Sequence, residues 1–92
     1  MTIRCEIVSQ DQIVYQGEVD IVTLPGQAGD MGILPNHSPL LTVLKYGIIT
    51  VRAKEEGELH FAVSGGVAEV QPDQVTVLAD SAEDVEEIDL HR

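Results

Sequence analysis

Few side chains in this sequence have the types and spacing that bond-making chemistry needs. A nucleophilic site requires a serine or cysteine activated by a histidine that a third group orients. Asp30, His37 and Ser64 are the residues from which a small hydrolase could be assembled, and His37 is followed directly by Ser38. Neighbours in an extended segment point to opposite sides, so the His37-Ser38 adjacency makes no dyad by itself. Cys5, His37 and His60 contain no closely spaced pair of the kind structural zinc sites use, and His91 lies in the tail. GQAGDMG (26 to 32) departs from the dinucleotide fingerprint and is followed by no phosphate-loop lysine, while the acidic tail lacks the central glycine of a calcium loop. The expectation is therefore no catalytic, cofactor or metal site, and hydrolysis would require Asp30, His37 or Ser64 to stand within hydrogen-bond reach.

The candidate residues cluster in one unusual stretch, PGQAGDMGILPNHSPLLTVL (25 to 44). Gly26, Gly29, Gly32, Pro25, Pro35 and Pro39 fall within 15 residues, which excludes a helix and an uninterrupted central strand. A compact, doubly turned excursion from a sheet is expected. It would present Gln27, Asp30, Asn36, His37 and Ser38, with Met31 and Ile33 as exposed apolar residues. Loops specified this closely are where a rigid scaffold carries recognition groups, although a plain connection has the same composition.

Strands must supply that scaffold. Ile3, Cys5 and Ile7 alternate with Arg4 and Glu6, predicting a first strand over 2 to 8 and a buried thiol at Cys5. Ser9 to Gln12 read as a turn into IVYQ, a hairpin, with Gly17 as a break or bulge. VDIVTL (19 to 24) sets Val19, Ile21 and Thr23 on one face against Asp20, Val22 and Leu24 on the other. LLTVL (40 to 44) and GIITVRA (47 to 53) flank a connection of hairpin length, and KEEGE (54 to 58) is a solvated tip. LHFAVS places Leu59, Phe61 and Val63 together before a bend at Gly65-Gly66, and QPDQ (71 to 74) turns VAEV into VTVLA (75 to 79). Roughly eight to ten short strands at this spacing predict an all-β sandwich or barrel over residues 1 to 80. Residues 81 to 92 form an acidic tail in which Ser81 and Asp84 resemble a helix-capping pair, too short for a stable isolated helix.

Composition narrows the partners. With 92 residues there is one domain and one modest core, and 43% apolar content with only 3% aromatic makes that core Val, Ile and Leu. A net charge of −11 repels phosphate backbones and anionic headgroups, so neither nucleic acid nor lipid is the expected partner. One cysteine excludes an internal disulfide and fits a reducing compartment. The sequence holds no bilayer-length apolar run, and its opening residues read as a strand and not as a leader, so membrane association is expected only through a partner.

Two segments carry a family resemblance. PGQAGDMGILPNHSPLL and SGGVAEVQPDQVTVLAD, in this order and with VSQDQIVYQGEVDIV and LKYGIITVR around the first, resemble the epsilon subunit of F-type ATP synthases, called delta in mitochondria. The resemblance covers nearly the whole chain. It implies a flattened sandwich of about ten strands without an active site, seated on the gamma shaft and the c-subunit ring at the cytoplasmic side of the membrane and rotating with both during proton-driven ATP synthesis. It also implies a ring-facing turn at Gly29, Asp30, Met31 and Gly32 with His37 close by, and a gamma-facing surface at Ser9, Leu41 and Val43. Asp30 stands where glutamate is usual, Met31 where leucine is common, Asn36 where glycine often precedes the histidine, and Tyr46 where proline is common. The family's two-helix C-terminal domain, which inhibits hydrolysis and in some bacteria binds ATP, is not expected here, because EEIDLHR matches only its first turns. The isolated chain is expected to be monomeric. The competing reading is a stand-alone acidic β-sandwich adaptor or carbohydrate binder, against which the scarcity of exposed aromatics argues.

Overall fold

The computed structural model describes residues 1–54 and 56–85. They form nine strands: β1 (Ile3–Ser9), β2 (Gln12–Gly26), β3 (Gly29–Ile33), β4 (Leu40–Leu44), β5 (Gly47–Ala53), β6 (Gly57–Val63), β7 (Gly66–Gln71), β8 (Gln74–Ala79) and β9 (Ala82–Asp84). Their hydrogen-bonded order is β1-β8-β7-β4-β2-β5-β6-β9, with β3 added to β2 and β1 also joined to β2. The sheet therefore returns on itself as a sandwich, as the alternation predicts, with nine strands described against about ten expected.

Strand β2 makes the closure possible. Its first half pairs with β1, and its second half with β5 and β3, so one 15-residue strand belongs to both layers. The register against β5 slips between Val19 and Ile21. An extra residue at such a bulge reverses which side chains face inward. Val19, Val22 and Leu24 are accordingly buried, in place of the Val19, Ile21 and Thr23 set that strict alternation predicts. Gly17 is not a break: it pairs with Cys5 in a continuous ladder, whose irregularity lies at Ile7/Val8 instead.

The core is aliphatic around a single Phe61, against which the Tyr15 ring packs at 5.3 Å and 45°. Cys5 is fully enclosed, and burial, helped by the neighbouring Glu6 carboxylate, pushes its thiol pKa up to about 12. The group remains a protonated apolar side chain.

Two crossings between layers need glycine for close approach. The Lys45–Tyr46 link is not the hairpin its length suggests, because β4 pairs with β7 while β5 pairs with β2 and β6. Lys45 N–H donates to the Pro25 carbonyl at 2.9 Å, and a Cβ on Gly47 would stand 2.7 Å from Pro25 Cβ. At the second crossing Gly66 has φ of 134°, and a Cβ there would strike the Leu78 carbonyl and come within 2.7 Å of Ala79 Cα. Gln10–Asp11, both at positive φ (50° and 66°), and Pro72–Asp73 are, by contrast, true hairpin turns.

The sheet also passes the expected domain end at residue 80. Ala82–Asp84 pair with β6, and the Ser81 hydroxyl donates to that of Ser64 at 2.7 Å. A strand takes the place of the helix cap, since pairing with an open sheet edge satisfies backbone groups that a one-turn helix leaves exposed. The remainder of the acidic tail, 86 to 92, lies outside the described residues.

Candidate functional site

The glycine- and proline-rich stretch builds a hairpin. Gly26 pairs with Gly29, Pro25 with Asp30, Leu24 with Met31, Thr23 with Gly32 and Val22 with Ile33, so Gly29, Asp30, Met31 and Gly32 are strand β3 and the turn is Gln27–Ala28. Pro25 and Gly26 stay in β2, because an extended backbone accommodates proline's φ and its carbonyl remains paired with Lys45. Opposite residues share a face. Met31 and Ile33 follow Leu24 and Val22 inward: Met31 is half-buried and Ile33 fully buried, not exposed. Asp30 and Gly32 are left on the outside, and both are exposed.

His37 is carried by the segment between β3 and β4 and is half-buried. Its Nδ1 lies 2.7 Å from the Ser38 backbone carbonyl. A carbonyl only accepts, so Nδ1 bears the hydrogen and Nε2 is the free ring nitrogen. The Ser64 hydroxyl is engaged by Ser81, and neither a histidine nor Asp30 is its partner. Asp30, His37 and Ser64 are thus dispersed over β3, a loop and a β6–β7 crossing, and the hydrolase reading has no assembled site. Among the described residues no group of three or more His, Cys, Asp or Glu side chains is placed to hold a metal ion.

A second surface emerges from pairing alone. Val43 pairs with Val67, Val67 with Leu78, Leu78 with Val8 and Val8 with Ile13, setting five apolar side chains in a row across β4, β7, β8, β1 and β2. All but the half-buried Val8 are exposed, Leu78 at 57%, and Leu41 extends the row along β4 at 71%. The opposite face, over the end of β2 and strands β5 and β6, is mixed: it carries Thr23, Thr50, Arg52, Glu58 and His60 beside Ile21 and the exposed Ile48. Scattered single apolar residues are ordinary on a surface, but a contiguous row marks an interaction face. Of the residues expected to face gamma, Leu41 and Val43 belong to this row. Ser9 does not: it continues the inward set Ile3, Cys5, Ile7 and is 9% exposed, so Val8 holds the surface at that corner. Val8, Ile13, Val67 and Leu78 were not foreseen, because their alignment depends on strand neighbours that local pattern does not encode.

The two surfaces meet where Gly26 pairs with Leu44. There Gln27 N–H, at the tip of the β2–β3 hairpin, donates to the Val43 carbonyl at 3.1 Å, and Lys45 N–H to the Pro25 carbonyl at 2.9 Å. The carboxylate-bearing hairpin is thereby held against the end of the apolar row, and the arrangement can grip one apolar surface while offering an anionic edge to a second.

Comparison with known proteins agrees with this architecture. The family model described as ATP synthase, Delta/Epsilon chain, beta-sandwich domain matches residues 2–85. The ATP synthase epsilon chain of Stenotrophomonas maltophilia is 49% identical over 88 residues, 96% of this chain and 63% of that one. That of Xanthomonas campestris pv. campestris is 48% identical over the same shares. Among solved structures, a chain in the Euglena gracilis mitochondrial ATP synthase (OSCP/F1/c-ring in rotational state 1) superposes with a TM-score of 0.87 at 29% identity, covering 96% of this chain and 56% of that one. A chain from the central stalk and c-ring of the Tetrahymena thermophila mitochondrial enzyme gives 0.78 at 16% identity, covering 100% and 73%, and shows a shared fold. The chain spans about 63% of the length of the curated relatives it matches. With strand order, signature segments and a family match over 2–85 in agreement, the chain belongs to the ATP synthase delta/epsilon family, as its β-sandwich domain.

Proposed function

We propose that this chain is a non-catalytic rotor subunit of an F-type ATP synthase, joining the gamma shaft to the c-subunit ring. The observation that carries the reading is the junction at Gln27 and Val43, where an apolar row and a carboxylate-bearing hairpin are bonded into one rigid unit. The apolar row, with Leu41, Val43, Val67 and Leu78 at its exposed centre, is the gamma-facing surface. Apolar cores with polar rims are what lasting interfaces bury. The c-ring-facing edge is the β3 hairpin, with Asp30 offering its charge beside Gly29 and Gly32, and His37 carried by the segment that follows. Met31 supports that edge from within. A net charge of −11 suits a partner presenting basic and polar loops. Torque then passes through the sheet itself, which has no helix long and apolar enough to cross a membrane among its described residues. The complex would hold the chain at the cytoplasmic side of the membrane.

The test is co-purification of tagged chain with gamma, and of both with detergent-solubilised c-ring. Retention of gamma at micromolar concentration is expected, and Asp30→Lys should lower c-ring retention while gamma stays bound. If gamma is not retained, the rotor reading fails and a stand-alone adaptor replaces it.

A further inference from the structure

Asn36 sits in an unusual place for a residue with a side chain. Its φ is 70°, in the left-handed region, and its N–H donates to the Pro72 carbonyl at 2.8 Å. Pro72 belongs to the β7–β8 turn, far along the sequence, and the same turn receives Arg4 N–H at the Asp73 carbonyl, 3.1 Å away. The segment between β3 and β4 lies in no strand, and among the described residues this backbone bond ties it to the sandwich between the end of β3 and the start of β4. The next residue is His37, whose ring is in turn held by the Ser38 carbonyl. Asparagine enters the left-handed region more readily than other side-chain-bearing residues. A β-branched residue there is strained by enough to lift the segment from the turn.

We propose that Asn36 is the positioning residue of the ring-facing surface: its left-handed backbone, pinned to the Pro72 carbonyl, sets where His37 stands in the segment that follows the Asp30 strand. This rests on the rotor reading for its partner, but the geometry is independent of it. The Asn36 side chain adds only a 3.4 Å contact from Nδ2 to the sulfur of the exposed Met1, so the backbone conformation carries the effect. A glycine at the position reproduces that conformation without the side chain.

The experiment compares Asn36→Gly and Asn36→Val with the unaltered chain by two measurements. The first is hydrogen exchange of the residue-36 amide together with the chemical shift of the His37 ring, in the chain alone. The second is retention by the gamma and c-ring subcomplex. Asn36→Gly should leave both unchanged, while Asn36→Val should expose the amide, shift the His37 signal and weaken retention roughly tenfold, the scale of left-handed strain. Melting temperatures report whether the sandwich itself is intact in each variant. The proposal is overturned if Asn36→Val keeps both amide protection and retention, or if Asn36→Gly loses as much as Asn36→Val. Failure of the unaltered chain to bind the subcomplex would sink the rotor reading, and the exchange data would still decide the positioning role.

Discussion

Gly66 illustrates how much a single missing Cβ can decide. The chain passes from one layer to the other here, against the Leu78 carbonyl and Ala79 Cα, with a φ that L side chains rarely adopt. Gly66→Ala combines backbone strain with a steric clash and should cost about 3 kcal/mol, seen as a markedly lower melting temperature. Cys5 makes a different prediction. Its folded pKa lies near 12 and its unfolded value near 9, so the native state keeps a proton that the unfolded chain releases. The stabilisation is complete below pH 9 and is lost as pH rises toward 12. Tyr15, raised by its burial first and then by the Glu56 carboxylate and Cys5, acts in the same direction. Denaturant melts of Cys5→Ala across pH 8 to 11 should show a shallower fall than the parent. An equal slope in both would remove Cys5 as the cause.

At the scale of elements, the turns show where local sequence speaks and where it is overruled. Gln10–Asp11 form a two-residue hairpin turn with both φ positive, a conformation that Asn-Gly satisfies with less strain. Gln10→Asn with Asp11→Gly should therefore stabilise the chain by about 1 kcal/mol, raising the melting temperature by roughly 4–8 °C for a domain of this size. The hairpin was legible because turn-type residues separate two alternating runs. Lys45–Tyr46 have the same brevity, yet the chain changes layer there, since β4 finds β7 and β5 finds β2. Likewise the expected turn at Gly29 to Gly32 is a strand, because glycine permits a turn without requiring one. Pairing with β2 supplies backbone hydrogen bonds that an exposed loop would leave to water.

For the whole molecule, the distinction that matters is between its two outer faces. Leu78→Lys places a charge in the middle of the apolar row without touching the core, so stability should change by less than about 0.5 kcal/mol while gamma retention falls at least roughly tenfold. Glu58→Lys, at a charged position on the opposite face, should leave gamma retention as it was. Equal retention by the two variants would remove the apolar row from the interface.

Sequence alone determined the class of fold, the inward residues of β1 and β6, the buried thiol, and the exposed carboxylate at Asp30, because alternation and turn chemistry are local properties that each short segment carries by itself. Only the tertiary structure decided the parity switch in β2, the inward turn of Ser9 and Ile33, and the line from Val43 through Val67, Leu78 and Val8 to Ile13. Apart from Val43, which the family resemblance marks, these residues are unremarked in their own strands. They become a surface only when register brings strands distant in sequence side by side, and register is set by long-range hydrogen bonding and core packing together.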